Sequence, residues 1–169
     1  MSVYVDTGVA LAYVIINDPN HDRAESIVAS LQGSRFVLSE LSVVEMFSVL
    51  SRNIEFIEIP GVEIRDNMFE AIAAIILYII EMLGAEVRFI PIRRRTLGLQ
   101  KLVLDINDVF AEAIRLATEL KLKTLDILHL VYARRIGAKT FLTLDRQIIR
   151  NHRTINELMN IEIIPEKIE

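Results

Sequence analysis

Short apolar, β-branched runs alternate along the chain with longer stretches whose apolar positions recur at helical spacing. Val3 to Asp6 (VYVD) reads as a strand ending in an acid, followed by a helix over Val9 to Ile16. Asn17 to Asp22 is turn chemistry, and Ala24 to Leu31 is an amphipathic helix. Arg35 to Leu38 is a second strand leading into ELSVVEMFSVLSR, for which Ser39 is the expected N-cap. Asn53 to Asp66 has β character with a Pro60-Gly61 turn. A helix over about Asn67 to Leu83 stops at Gly84, and Glu86 to Ile92 is strand again. Arg93 to Asp105 fits neither period. Asp108 to Leu120 is helical with an acid at its start, TLDILHLVYARRIG is a further helix closed by Gly137, and KTFLTLD is the strand after it. A polar segment, Asn151 to Asn160, precedes a last short strand, Ile161 to Ile164. Short apolar strands between helices predict an α/β fold with a parallel sheet covered on both faces. No repeat or linker interrupts the pattern, so one domain over residues 1–169 is expected.

Composition narrows the chemistry. The chain of 169 residues is 52% hydrophobic with only 6 Gly and 4 Pro, enough for a substantial core. It has no cysteine, which excludes disulfides, thiolate zinc sites and a cysteine nucleophile. The most apolar window, Ala71 to Ile80, lies between Glu70 and Glu81 and falls short of the roughly 20 residues a membrane helix needs. It is expected in the core or against a second subunit. The N-terminal run is interrupted by Asp6 and has no positive charge before Arg23, unlike a secretory signal. A soluble, cytoplasmic protein with no membrane association is the expectation.

A formal net charge of −4 argues against holding nucleic acid by a bulk positive field. Basic residues are nevertheless clustered: Arg93 to Arg95 form one group, and from Arg134 to Arg153 six basic residues face a single acid, Asp145. Such runs are permissive for nucleic acid and equally compatible with a solvated face.

The acids are more informative. Asp6 ends the first strand and Asp145 stands just past a later one, at the carboxyl edge where open parallel sheets place ligands. Glu45 is surrounded by Val43, Val44, Met46 and Phe47, and Asp126 by Leu125, Ile127 and Leu128. Taken singly, Asp126 is accounted for as an early-turn acid complementing a helix dipole, and Glu45 as a partly exposed helical residue. Taken together, four acids in four apolar-bordered segments can converge on one cleft. Gathered carboxylates repel, so a cation would have to join them, and oxygen ligands without cysteine favour Mg²⁺ or Mn²⁺ over zinc. Neither a G-x-x-x-x-G-K-[ST] loop nor a G-x-G-x-x-G fingerprint is present. Metal-assisted hydrolysis of a phosphodiester is the reaction class best supported by these residues.

The segments VDTGVALAYV, LSELSVVEMFSVLSR, TLDILHLVYARRIGAKTFLTLD and IEIIP resemble, in order and spacing, the PIN-domain ribonucleases, especially the VapC-like toxins of prokaryotic toxin–antitoxin pairs. The likeness spans nearly the whole chain, with Asn53 to Gly84 the least typical part. It implies a three-layer α/β/α fold around a parallel sheet of about five strands. The family's acidic quartet falls on Asp6, Glu45, Asp126 and Asp145, which the resemblance makes ligands of Mg²⁺ or Mn²⁺ and activators of water for attack on RNA. Thr143 matches the family's hydroxyl position near the metal water or phosphate. Gly8 departs from the pattern, since Asn or Ser commonly follows the D-T pair. The resemblance further implies a small antitoxin protein as partner and a homodimer. Arg146 and Arg150, one turn apart after Asp145, are candidate phosphate contacts, with a solvated basic helix as the alternative. His129 reads first as a satisfied structural histidine, and second as a ligand or general base. An endoribonuclease toxin is therefore expected. The alternatives are a housekeeping PIN nuclease of RNA processing or decay, and a PIN-like module that binds RNA or protein without cleaving.

Overall fold

The computed structural model describes residues 1–60, 67–91, 93–99 and 102–165. Five short strands make one parallel sheet: β1 (Ser2–Val5), β2 (Arg35–Ser39), β3 (Glu86–Arg88), β6 (Thr140–Leu142) and β7 (Glu162–Ile164), in the order β3-β2-β1-β6-β7. A separate antiparallel hairpin joins β4 (Arg94–Leu99) to β5 (Leu102–Asn107). The helices are α1 (Thr7–Val14), α2 (His21–Ser30), α3 (Glu40–Asn53), α4 (Met68–Leu83), α5 (Asp108–Leu120), α6 (Thr124–Arg135), α7 (Arg146–Arg150) and α8 (His152–Met159). This is the α/β architecture that the alternating pattern predicts.

Side-chain alternation along the strands divides the core into two layers. Val3 and Val5 of β1, Phe36 and Leu38 of β2 and Leu142 of β6 pack with α1 to α4. Tyr4, Val37, Phe141 and Ile163 point the other way and pack with α5 to α8. Both faces of the sheet are thus covered by helices, as parallel sheets require.

The apolar window resolves in favour of the core. Ile72, Ile75, Ile76 and Ile79 of α4 are buried in the first layer, and Ile80 is half-buried against it. This helix therefore gives no support to a dimer through that stripe. No described helix is long and apolar enough to cross a membrane.

Other expectations change. Within Asn53 to Asp66, Ile54–Phe56 is a 3₁₀ turn rather than strand, because Asn53 ends α3 and Ile54 turns back into the core. Residues 61–66, including the second half of the Pro60-Gly61 turn, lie outside the described residues. Strand β3 stops at Arg88, four residues before the expected end at Ile92, which also lies outside them. Helix α1 begins two residues earlier than its apolar run, directly after Asp6. The polar segment Asn151 to Asn160 contains α8, which is held by only two buried residues, Ile155 and Met159, one turn apart.

Topology places a crevice at a defined position. The chain leaves β1 toward β2 on one side and returns to β6 on the other, so the strand order reverses between the two central strands. Carboxyl ends of strands at such a switch point open a cleft between diverging loops. Asp6 and Asp145 follow these two strands.

Candidate active site

Registration of β1 on β6 pairs Val5 with Leu142, and the ladder continues one step further through the Asp6 N–H on the Leu142 carbonyl at 2.9 Å. Asp6 and Thr143 therefore emerge side by side. The Thr143 hydroxyl donates to Asp6 Oδ2 at 2.6 Å and accepts the Asp145 N–H at 3.0 Å. Thr143 is fully buried, and its hydroxyl ties the two acids of the central strands together. Asp6 is also the N-cap residue of α1, but its carboxylate makes no capping bond.

Asp145 is used twice. Its Oδ1 accepts the N–H groups of Gln147 and Ile148 at 2.6 and 3.2 Å, capping α7, while the residue also lines the cleft. Asp126 stands in the first turn of α6 with its Oδ2 buried and without a hydrogen-bond partner. Glu45, in the middle of α3, places Oε2 2.7 Å from His129 Nε2. All four acids line one cleft of about 590 Å³. The four acids expected to converge do line one cleft, although Asp6 and Asp145 stand 139 positions apart in sequence.

The cleft is strongly negative. Asp18 adds a fifth carboxylate to the lining, and Lys123 is its one basic side chain among the described residues. Burial pushes the Asp6 carboxyl above its usual range, partly offset by the hydrogen bond from the Thr143 hydroxyl. Burial also raises Asp126, with the charges of Asp145 and Asp6 adding to the effect. Glu45 moves the other way, because the imidazole on its Oε2 favours the carboxylate.

A divalent cation fits this donor set. The donors are hard oxygens, and the orphaned Asp126 Oδ2 is a buried acceptor without a hydrogen-bond partner. Among the described residues no three acid or histidine side chains are drawn together closely enough to hold an ion by themselves. The carboxylates stand around the cleft rather than converging on one point, as mutual repulsion favours.

These shifts predict a sign for stability. A carboxyl whose folded pKa is raised binds more protons in the folded state, so it weakens the fold as pH climbs from its ordinary value of 3.8 through the raised one. Asp126→Asn is therefore expected to raise the melting temperature of EDTA-treated protein near neutrality and to flatten its fall as pH rises above the ordinary carboxyl value of 3.8. Melting curves of both proteins across that range check it; an unchanged slope would show that Asp126 carries no such penalty.

The remaining sequence-predicted residues fall elsewhere. Arg146 and Arg150 are exposed on α7 and do not line the cleft. Part of the basic run is committed to ion pairs: Arg135 bonds Asp108 at 2.6 Å and Glu112 at 2.7 Å, and Arg134 pairs with Glu112. Those two arginines hold α6 to α5. A Cβ on Gly8, which lines the cleft, would meet nothing within 4 Å, so a larger residue has room there.

Tyr4, which no motif in the sequence marks, stands behind His129. Its hydroxyl lies 2.7 Å from His129 Nδ1, 2.7 Å from Ser39 Oγ and 3.1 Å from Ser42 Oγ, while its ring stacks on Phe141 at 5.2 Å. Burial drives the phenol far above its usual range, so it remains a protonated donor. Its only sequence signal is an aromatic hydroxyl in an otherwise apolar strand, two residues before Asp6.

The PIN domain family model matches residues 3–153. The chain belongs to the PIN-domain family. The fold recurs in VapBC2 from Rickettsia felis, solved bound to a DNA fragment from its promoter, with a TM-score of 0.55 at 12% identity over 96% of this chain and 97% of the other. It recurs in VapC20 from Mycobacterium tuberculosis, a toxin that cleaves the sarcin-ricin loop, with a TM-score of 0.55 at 13% identity over 95% and 98% of the two chains. At those identities the likeness is one of fold. No curated protein matches the sequence. The four acids of the cleft sit at the switch point of the sheet.

Proposed function

We propose that this PIN domain is a Mg²⁺- or Mn²⁺-dependent endoribonuclease and the toxin half of a toxin–antitoxin pair. The observation that carries the reading is the meeting of Asp6, Glu45, Asp126 and Asp145 in one cleft, with a buried Asp126 oxygen lacking a partner. When bound there, a divalent ion would supply Lewis acidity to a phosphoryl oxygen and lower the pKa of water. In this reading Asp6, Glu45, Asp126 and Asp145 would together hold the ion. Thr143 positions Asp6 against Asp145 through its two hydrogen bonds.

RNA would otherwise be repelled by a cleft with five carboxylates and a single lysine. Phosphate contacts are therefore few: Lys123 in the lining, with Arg146 and Arg150 on the exposed face of α7 for the flanking strand. This predicts a shallow dependence of affinity on salt. Among the proteins that share the fold, VapC20 is a toxin, and the toxin role is proposed here by that analogy of fold. Val44 and Phe69 are exposed apolar residues on α3 and α4, with Phe69 stacked on Phe47 at 5.2 Å. A protein partner such as an antitoxin would cover such a group beside Glu45. A homodimer and a cytoplasmic location belong to the same proposal.

Cleavage of a labelled single-stranded RNA in Mn²⁺ and in EDTA tests the reading. Cutting confined to the Mn²⁺ lanes is expected. Equal cutting in EDTA would overturn the metal-dependent mechanism, and intact RNA together with no Mn²⁺-induced rise in melting temperature would favour a module that binds without cleaving.

A further inference from the structure

We propose that His129 is a positioning residue that aims Glu45 into the cleft, and that the Tyr4 hydroxyl in turn fixes the state of His129. The inference rests on the metal-dependent reading of the cleft.

Glu45 is half-buried on α3, and a flexible glutamate at such a position has several rotamers open to it. Two side chains reach it, the imidazole of His129 and the hydroxyl of Thr7, and the imidazole makes the stronger contact. His129, only 2% exposed, meets Oε2 through Nε2 at 2.7 Å. An ionised carboxylate only accepts hydrogen bonds, so Nε2 carries the proton. In the neutral imidazole Nδ1 is then the acceptor, and the Tyr4 O–H at 2.7 Å is its donor. The phenolic oxygen accepts in turn from Ser39 or Ser42.

That order of donors locks the tautomer that serves Glu45. The same two serines form the capping box that starts α3, and Glu45 lies three residues beyond Ser42 on the same helix. One buried network therefore sets both the start of the helix and the direction of its acid. Both ring nitrogens of His129 are engaged, so it has no lone pair to offer an ion. A general-base role is equally closed, since Nε2 is protonated and Nδ1 is turned inward to Tyr4. Glu45 Oε1 is the oxygen not held by the imidazole.

Two amide substitutions separate the nitrogens. His129→Gln places an amide N–H near the position of Nε2, keeping a donor to Glu45, whereas His129→Asn reaches only the position of Nδ1. Both lose the ring, so both lower the melting temperature in EDTA. The deciding readout is Mn²⁺ affinity by calorimetry, with RNA cleavage alongside. Loss of an orienting partner weakens metal binding by about 10- to 100-fold, so Asn is expected to bind Mn²⁺ at least about tenfold more weakly than wild type, and Gln to recover most of that loss. Equal affinities for Gln and Asn, or wild-type affinity for Asn, would overturn the positioning role. Absence of Mn²⁺ binding by the wild type itself would overturn the metal reading and this inference with it.

Discussion

Asp6→Asn is expected to lower RNA cleavage by about 10²- to 10³-fold, the loss typical when one charge-stabilising group is removed from a preorganised site. The substitution is chosen to leave the fold alone. Asparagine keeps a side-chain oxygen that can accept the Thr143 hydroxyl now bonded to Asp6 Oδ2, and no helix cap is lost because the Asp6 carboxylate caps nothing. Its effect should therefore be confined to the charge. Burial already disfavours the ionised Asp6, so the variant should melt no lower than wild type in EDTA. Steady-state cleavage in Mn²⁺ and a melting curve in EDTA read the two halves of the prediction. A variant that cuts as well as wild type would remove Asp6 from the mechanism, and one that melts far lower would make the activity loss uninformative.

The largest stability effect is expected in α4. Ile79 is fully buried in the layer formed with α1 to α3, so Ile79→Ala removes three carbons and leaves a cavity among neighbours that relax only partly. A loss of about 2–5 kcal/mol follows, measured by urea unfolding. Leu77, on the same helix and 60% exposed, is the control: its alanine variant should stay within about 0.5 kcal/mol of wild type. Similar losses at both positions, together with a halved mass by light scattering, would instead place α4 in a subunit interface.

That helix shows how far sequence reasoning reaches. Its isoleucines recur at 72, 75, 76 and 79, a spacing that defines one apolar face without saying what covers it. Three-dimensional packing supplies the answer. The acidic quartet was legible for a related reason: carboxylates bordered by apolar residues are costly unless something repays their burial, and strand ends are where a sheet can carry them. Gly84 and Ser39 likewise announced a helix stop and a helix start that the structure contains, with Gly84 at φ 58° and Ser39 accepting from the Ser42 N–H.

Elements that bury little were illegible. In β4 only Leu97 is buried among Arg94 to Gly98, so no alternation betrays the strand, and its partner β5 is identified by pairing rather than by pattern. Helix α8 carries three apolar residues, Ile155, Leu158 and Met159, on an otherwise polar stretch and buries only two of them. The Tyr4–His129 contact spans 125 residues of sequence and joins a strand to a helix, so no local period encodes it. It depends on the register of β1 and on where α6 crosses the second face. Arg134 and Arg135 looked like part of a basic patch because their partners, Asp108 and Glu112, lie on a different helix.

The central claim is that four carboxylates from four segments share a divalent ion. Calorimetric titration of Mn²⁺ into the wild type and into Asp6→Asn, Glu45→Gln, Asp126→Asn and Asp145→Asn tests it most directly. Asparagine caps helices about as well as aspartate, so Asp145→Asn should keep α7 while losing its charge. Saturable binding by the wild type, weakened in every one of the four variants, is the predicted result. Binding that survives undiminished in all four, or no binding by the wild type, would contradict the account.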